Sequence, residues 1–265
     1  KNFTLDEWIE WQCKLHSTNM DFNLSRIKEV AARLNIGKTK SKVFTIAGTN
    51  GKGSTVAILE SILIESGYNV GSYTSPHLLD FNERIKINKI PSSTKEICNA
   101  FEIIEESRKD ISLTYFEFST LAAFIIFSQK KLDILILEVG LGGRLDAVNI
   151  IDSDVSVITN IGLDHTSILG NDVEKIALEK SGVMRKYKPT IIGYSGVHDS
   201  VIKYSSKVDS TLSIFNKHFS GKIYSGKKWI FENIDGVRIE CEYPGIRGDI
   251  QINNAATAIQ AIHSC

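Results

Sequence analysis

The sequence predicts an α/β fold, a mostly parallel sheet flanked by helices with a small β-hairpin region near residues 222–243. Two observations carry this prediction. Val43–Ile46, Leu132–Val139 and Val155–Thr159 are runs rich in Val, Ile and Leu, as strands covered on both faces are, and helix-period segments separate them. In addition, Ile46-Ala47-Gly48-Thr49-Asn50-Gly51-Lys52-Gly53-Ser54-Thr55 places a glycine-rich turn between the first such strand and a long amphipathic run, Val56–Ser66. Its glycines let successive N–H groups converge, and the following helix adds its positive end, which together make an anion cradle. Lys52 can reach outer phosphates as a point charge, and Ser54 or Thr55 can offer a hydroxyl to a magnesium ion. The spacing departs from the regular phosphate-loop pattern. Ile46 stands where the first glycine belongs, and Gly53 stands where the hydroxyl residue belongs.

The 265 residues suffice for one large domain or two small ones, and a 42% hydrophobic content supports a sizeable core. Lys+Arg equals Asp+Glu, so no basic field argues for nucleic acid. No apolar run reaches the roughly 18 residues of a membrane span, and the N-terminal residues lack an export pattern, so a cytoplasmic protein is expected. Cys13, Cys98, Cys241 and Cys265 are far apart and form no CxxC pair, which fits reduced thiols.

Taken in order, Leu5–Leu15 reads as a helix with Trp8, Ile9, Trp11 and Leu15 on one face, and Ser25–Leu34 reads as a second with Ile27, Val30, Ala31 and Leu34 at helical spacing. Both precede the first strand and form an N-terminal helical extension over residues 1–40. Asp21, between them, is by pattern a helix cap or a binding residue. Asn69–Tyr73 reads as a strand ending in Thr74-Ser75-Pro76-His77. Ligands collect at the carboxyl ends of strands in open parallel sheets, which singles out Ser75 and His77. Phe81–Ile87 alternates apolar and polar residues and reads as a strand. Thr94–Arg108 and Phe118–Phe127 read as helices, the second very apolar.

Glu138 ends the most apolar strand, where a carboxylate is expensive unless paired or metal-bound. A second glycine-rich loop, Gly140-Leu141-Gly142-Gly143-Arg144-Leu145-Asp146-Ala147, follows it. Val155–Thr159 leads to Asp164-His165-Thr166, with His165 beyond a strand tip like Ser75 and Glu138. Imidazole is an unusual ligand for magnesium, which prefers oxygen, so chemistry alone leaves His165 open between ligand and structural residue. Asp172–Val183 reads as a helix on which Lys180, by spacing, is an ordinary solvated lysine. Strands at Pro189–Gly193 and Thr211–Phe215 flank a helix at Val201–Val208. Hairpins follow, and a final helix begins at Gly248–Ala256.

The first loop and five further segments resemble, in order, the folylpolyglutamate synthase/dihydrofolate synthase family of the Mur ligase group. These segments are Met20–Leu24, Ser75–Leu78, Thr114–Glu117, Glu138–Ala147 and Leu163–Thr166. The resemblance covers nearly the whole chain, and Tyr115-Phe116-Glu117 and Leu145-Asp146-Ala147 favour the bacterial bifunctional branch. It implies a P-loop NTPase-like Mur ligase central domain spanning residues 1–265, with the family's C-terminal glutamate-binding domain absent from this sequence. The activity implied is an ATP-dependent carboxylate–amine ligase. The γ-phosphate moves to a carboxylate of dihydropteroate or tetrahydrofolate, and the amine of L-glutamate attacks the acyl phosphate.

By the same resemblance, Thr49, Asn50, Gly51, Lys52, Gly53 and Ser54 bind ATP, with Gln251 and Asn254 in the segment near the adenine. Ser75, Glu138 and His165 match magnesium ligands. Lys180 matches a lysine that the family carbamylates to help hold a second magnesium. Asp21, Phe22, Asn23, Thr114, Tyr115, Phe116, Glu117, Leu145, Asp146 and Ala147 match pteroate contacts. Lys52, Glu138, His165 and Lys180 form the implied catalytic set. Two Mg2+ ions, ATP as substrate, a monovalent cation such as K+ and a monomeric state complete the expectation.

Two positions depart from the family. Asn23 replaces a glycine, with Asn able to take left-handed backbone angles, and Ile250 stands where relatives have histidine. The alternatives are another Mur-type ligase and a non-catalytic nucleotide-binding fragment.

Overall fold

Strand β1 (Lys42–Ala47) lies in the middle of the main sheet and alternates faces, with Val43 and Ala47 in one hydrophobic core and Phe44 and Ile46 in the other. The computed structural model describes residues 3–18, 21–163, 170–225, 228–246, 248 and 250–265. Strands β2 (Val70–Tyr73), β3 (Ile85–Ile87), β4 (Ile90–Pro91), β5 (Ile134–Glu138), β6 (Val155–Ile158), β7 (Pro189–Ile192) and β8 (Thr211–Ile214) complete an eight-stranded sheet in the order β4-β3-β2-β5-β1-β6-β7-β8. All pairings from β2 to β8 are parallel, while β3 and β4 add an antiparallel edge. The carboxyl ends of β1, β2, β5, β6 and β7 therefore share one edge.

One face is covered by α1 (Leu5–Leu15), α2 (Ser25–Arg33), α4 (Thr94–Arg108) and α5 (Tyr115–Ser128), joined by α6 (Val173–Ser181) and α7 (Asp199–Val208). The other is covered by α3 (Lys52–Glu65) and α8 (Ile250–His263). Helix α5 is apolar on nearly all sides because it is enclosed, with every residue from Glu117 to Phe127 buried. A three-stranded antiparallel sheet, β9 (Phe219–Ser225), β10 (Lys228–Asn233) and β11 (Arg238–Glu242), brings Phe219, Trp229 and Phe231 into the core with Ile252 and Ala256 of α8. The hairpin expectation thus holds, with the first strand starting at Phe219.

One expectation needs correction. Phe81–Ile87 is a strand only over Ile85–Ile87, and Phe81–Arg84 forms a 3-10 turn. The Glu83 carboxylate accepts the N–H groups of Leu78 (2.9 Å), Leu79 (3.1 Å) and Asp80 (3.0 Å), which fixes the turn against the alternating pattern. The N-terminal helices pack into the domain, since Trp8, Ile27 and Val30 are 0% exposed and belong to the core of one sheet face. Trp8 meets Phe3, Trp11, Phe101 and Phe118 at ring-centroid distances of 5.3, 5.5, 5.8 and 6.3 Å. Trp8→Ala is expected to cost about 3–5 kcal/mol of unfolding free energy, read as a drop in the urea midpoint. An unchanged midpoint would show that α1 contributes nothing to the core.

Candidate active site

Beyond β1 the chain turns through Gly48 and Gly51 into α3. Gly48 has φ +148°, and a Cβ there would stand 1.9 Å from Thr159 Oγ1, so both backbone angle and space demand glycine. The loop is held from β6. Asn160 Oδ1 accepts the N–H groups of Thr49 (3.1 Å) and Asn50 (2.8 Å), and Thr159 Oγ1 donates to Asn50 O at 2.6 Å. Gly51 stands at the N-cap of α3 with φ +81°, and Lys52 is the first helical residue. The Lys52 ammonium donates to Gly48 O (3.0 Å) and Thr49 O (3.2 Å), which places a cation over the loop at the positive end of a helix. Asn254 reaches the same turn, since a Cβ on Gly51 would lie 2.8 Å from its Oδ1, and its Nδ2 donates to Gln251 Oε1 at 2.9 Å. Thr49, Asn50, Gly51, Lys52 and Asn254 are thus brought together, with Gln251 linked through Asn254.

Glu138, at the end of β5, is only 5% exposed. Its Oε2 accepts the Ser75 N–H at 3.2 Å, and both carboxylate oxygens lie 3.9 Å from the place a Cβ on Gly53 would take. Burial pushes its pKa up to about 7, opposed by the Lys52 charge and the Ser75 N–H and reinforced by Asp146. A buried carboxylate with a backbone donor beside a strand-end hydroxyl suits a hard divalent cation that takes oxygen ligands, so Glu138 and Ser75 fit a magnesium ion. His165 and its neighbours Asp164 and Thr166 lie outside the described residues. Among the described residues, no group of three His, Cys, Asp or Glu side chains converges as a metal site.

Lys180 corrects the reading as a solvated lysine, being 3% exposed on α6. The backbone of this helix packs on the second glycine loop, where a Cβ on Gly143 would stand 2.8 Å from Glu179 O and 3.1 Å from Lys180 Cα.

A cavity of about 590 Å3 opens between the N-terminal helices, α5 and the second glycine loop. Asp21, Phe22, Thr114, Tyr115 and Phe116 line it, as do Glu117, Leu145, Asp146 and Ala147. Asn23 does not. Its Oδ1 accepts the Ser25 N–H at 2.9 Å at the start of α2, and its φ is not positive, so left-handed tolerance is not what the position uses. Thr114 and Glu117 also form the capping box of α5, with Glu117 Oε2 accepting the Thr114 N–H at 2.8 Å. Arg26 ties this end of α5 to α2, meeting Asp21 at 2.6 Å and both Glu117 oxygens at 3.2 Å. Asp146 accepts the N–H groups of Leu141 (2.9 Å) and Val148 (3.0 Å), yet burial still pushes its pKa up to about 6.

Sequence reasoning missed Gln12, Cys13, His16 and Arg84 on this wall, and the loop brace Thr159–Asn160. Arg84 is 7% exposed, stacks over Tyr115 at 5.3 Å and donates to His77 Nδ1 at 2.8 Å. Burial first, and then the Arg84 charge, hold the His77 pKa down. A smaller pocket of about 240 Å3 is lined by Gly53, Glu138 and Lys86, and it shares Ser75 and Pro76 with the larger cavity.

Loop and sheet edge together define an α/β domain with a glycine-rich turn at the end of its central strand. The chain belongs to the Mur ligase middle-domain family, whose model matches residues 46–262. It is similar to the dihydrofolate synthase/folylpolyglutamate synthase of Buchnera aphidicola subsp. Acyrthosiphon pisum, with 43% identity over 263 residues, covering 99% of this chain and 62% of that protein. Among solved structures it is similar to Escherichia coli FolC in complex with DHPP and ADP, with a TM-score of 0.94 and 41% identity over 99% of this chain and 62% of that one. It is also similar to the bifunctional folylpolyglutamate synthase/dihydrofolate synthase of Yersinia pestis complexed with AMPPNP and Mn ion, with a TM-score of 0.91 and 42% identity over 99% of this chain and 63% of that one. The chain therefore spans a little over three-fifths of the length of these relatives.

Proposed function

We propose that this chain is the ATP- and pteroate-binding part of a ligase that joins L-glutamate to dihydropteroate and to tetrahydrofolate through an acyl phosphate. The observation that carries the reading is the Ser75–Pro76 wall common to both cavities. An acceptor lying in the larger cavity extends along that wall toward the pocket of Glu138 and Gly53. The named relatives and the nucleotide-bound neighbours support the same reading.

In this reading Thr49 to Ser54 hold the ATP phosphates, and Gln251 and Asn254 serve the adenine end. The substrate carboxylate attacks the γ-phosphorus and ADP leaves. The glutamate amine then attacks the acyl carbon and phosphate leaves. No side-chain nucleophile is needed. The chain's task is to offset the repulsion between two anions, which falls to Lys52 and the α3 N-terminus. Ser75, Glu138 and His165 are assigned to a first Mg2+, and Lys180, once carbamylated, to a second. The ions supply charge neutralisation at the transferring phosphoryl group. A K+ ion is a further candidate. Asp21 and Phe22 with Thr114–Glu117 and Leu145–Ala147 are assigned to the pteroate.

The chain is assigned as a monomer. Cys13, Cys98, Cys241 and Cys265 are unpaired, which supports a reducing cytoplasm. No helix among the described residues is long and apolar enough to cross a membrane. The glutamate site is assigned to the length of the relatives that these residues do not span.

Phosphate release measured with ATP and Mg2+ tests the proposal, with dihydropteroate or tetrahydrofolate as acceptor and with or without glutamate. Equilibrium binding of AMPPNP and dihydropteroate is measured alongside. Both ligands are expected to bind, and release is expected to need an acceptor. A chain that binds neither ligand overturns the assignment.

A further inference from the structure

Arg84 is a buried cation without a counter-ion. It ends the 3-10 turn after β2, is 7% exposed and lines the large cavity, while the smaller pocket of Glu138 and Gly53 does not include it. Its Nε donates to His77 Nδ1 at 2.8 Å, and its guanidinium lies over the rings of Tyr115 (5.3 Å) and Phe81 (5.6 Å). Among the described residues no carboxylate pairs with it, and Nη1 and Nη2 meet no hydrogen-bond acceptor, though neither is sealed from solvent. The acids nearby are committed elsewhere. Glu83 collects the N–H groups of Leu78, Leu79 and Asp80, Asp21 and Glu117 are held by Arg26, and Asp146 accepts two backbone N–H groups. Burying a full charge is expensive unless it is paired, so this one marks where the cavity receives an anion. With Nε taken and the plane held by two rings, Arg84 presents the fork of Nη1 and Nη2, whose parallel N–H groups match the two oxygens of a carboxylate.

The two acceptors differ in what they bring to this fork. Dihydropteroate carries one carboxylate, and that one attacks the γ-phosphorus. Tetrahydrofolate carries two on its glutamyl residue. The γ-carboxylate ends the longer arm and is the one that reaches past Ser75 and Pro76 to the pocket of Glu138, which leaves the α-carboxylate inside the large cavity. A guanidinium clamped on the attacking carboxylate would stabilise the ground state and blunt the attack, so the fork suits the spare one. We propose that Arg84 is a specificity-determining residue of the acceptor cavity, its guanidinium fork binding the α-carboxylate of a glutamyl acceptor such as tetrahydrofolate. The inference rests on the pteroate reading of the cavity and adds to it the contact that separates the two acceptors.

Arg84→Met keeps a long side chain against Tyr115 and Phe81 and removes the charge, and Arg84→Lys keeps the charge without the fork. Calorimetric titration in the presence of AMPPNP and Mg2+ is expected to show R84M binding tetrahydrofolate about 10- to 100-fold more weakly than wild type, the range of one lost charge-assisted pair, with R84K between them. Tetrahydropteroate, which has the same ring system and no glutamyl residue, is expected to lose no more than about threefold. The α-monoamide of tetrahydrofolate is expected to bind wild type about as weakly as R84M binds tetrahydrofolate, and R84M is expected to bind acid and amide alike. A merely structural arginine would not sense that change in the ligand. An equal loss of tetrahydrofolate and tetrahydropteroate in R84M overturns this inference and leaves the pteroate reading standing. So does equal binding of tetrahydrofolate and its α-monoamide by wild type, a comparison that needs no variant to fold. Binding of neither dihydropteroate nor tetrahydrofolate by wild type overturns both.

Discussion

Lys52→Ala is expected to weaken AMPPNP binding about 100-fold and to cut phosphate release by about 10^2–10^3, the scale of removing one preorganised charge-stabilising group, while Tm stays within about 2 °C. The size of the first effect follows from where the ammonium lies. Lys52 opens α3 and holds its charge over the carbonyls of Gly48 and Thr49, so a phosphate chain in the turn meets a full positive charge as well as backbone N–H groups. The small effect on Tm follows from what holds the loop. Asn160 grips the N–H groups of Thr49 and Asn50, and Thr159 grips the Asn50 carbonyl, all independently of residue 52. Alanine is also the best helix former for that position. Calorimetric titration and a melting curve on the same sample separate the two quantities. A folded K52A protein with wild-type AMPPNP affinity would show that the turn does not bind phosphates.

What the sequence reveals about this site depends on whether the signal is local. The turn at Gly48–Thr55 and the burial of Glu138 were legible because each is a polar or glycine feature set into a continuous apolar run, and apolar runs of that length build sheets. The partial failure at Phe81–Ile87 was also local. Alternation suggested a strand, but one carboxylate, Glu83, collects three backbone N–H groups and folds Phe81–Arg84 into a turn.

Long-range facts were invisible. Lys180 reads as solvated by spacing, and only the packing of its helix against Gly143 reveals that it is buried. Gln12 and Arg84 carry no motif, and they matter because α1 and the turn after β2 border one cavity. Thr114 and Glu117 show the opposite case, one pair of residues with two meanings. Their spacing is a capping box that would form with or without a ligand, and the fold then places that box in the cavity wall.

Glu138→Gln is expected to make the metal-free protein more stable at pH 8 by up to about 3 kcal/mol and to remove the stabilisation that Mg2+ gives. The carboxyl has its pKa raised from 4.5 to about 7, because burial disfavours the charged form more than Lys52 and the Ser75 N–H favour it. Between those two values the native protein binds more protons than the unfolded chain, so stability falls as pH rises through the window and stays lowered above it. A shift of this size corresponds to about 3 kcal/mol at about 1.4 kcal/mol per pH unit. Asp146, pushed up to about 6, acts in the same direction and remains in the variant. Glutamine keeps an acceptor for the Ser75 N–H and carries no charge to bury, so the Glu138 share of the pH slope should vanish from urea midpoints measured in EDTA between pH 5 and 8.

With saturating Mg2+ the Glu138 share of the wild-type slope should vanish. A cation that needs the ionised carboxylate binds more tightly as pH rises toward 7, and its mass-action stabilisation of the native state offsets the loss. E138Q should show neither the Glu138 share of the slope nor the Mg2+ effect. Equal Mg2+ stabilisation of variant and wild type would remove Glu138 from the ligand set. An unchanged metal-free slope would mean that its burial has no cost. The two measurements together test whether one buried charge, unfavourable in the metal-free fold, is what makes this sheet edge a cation site.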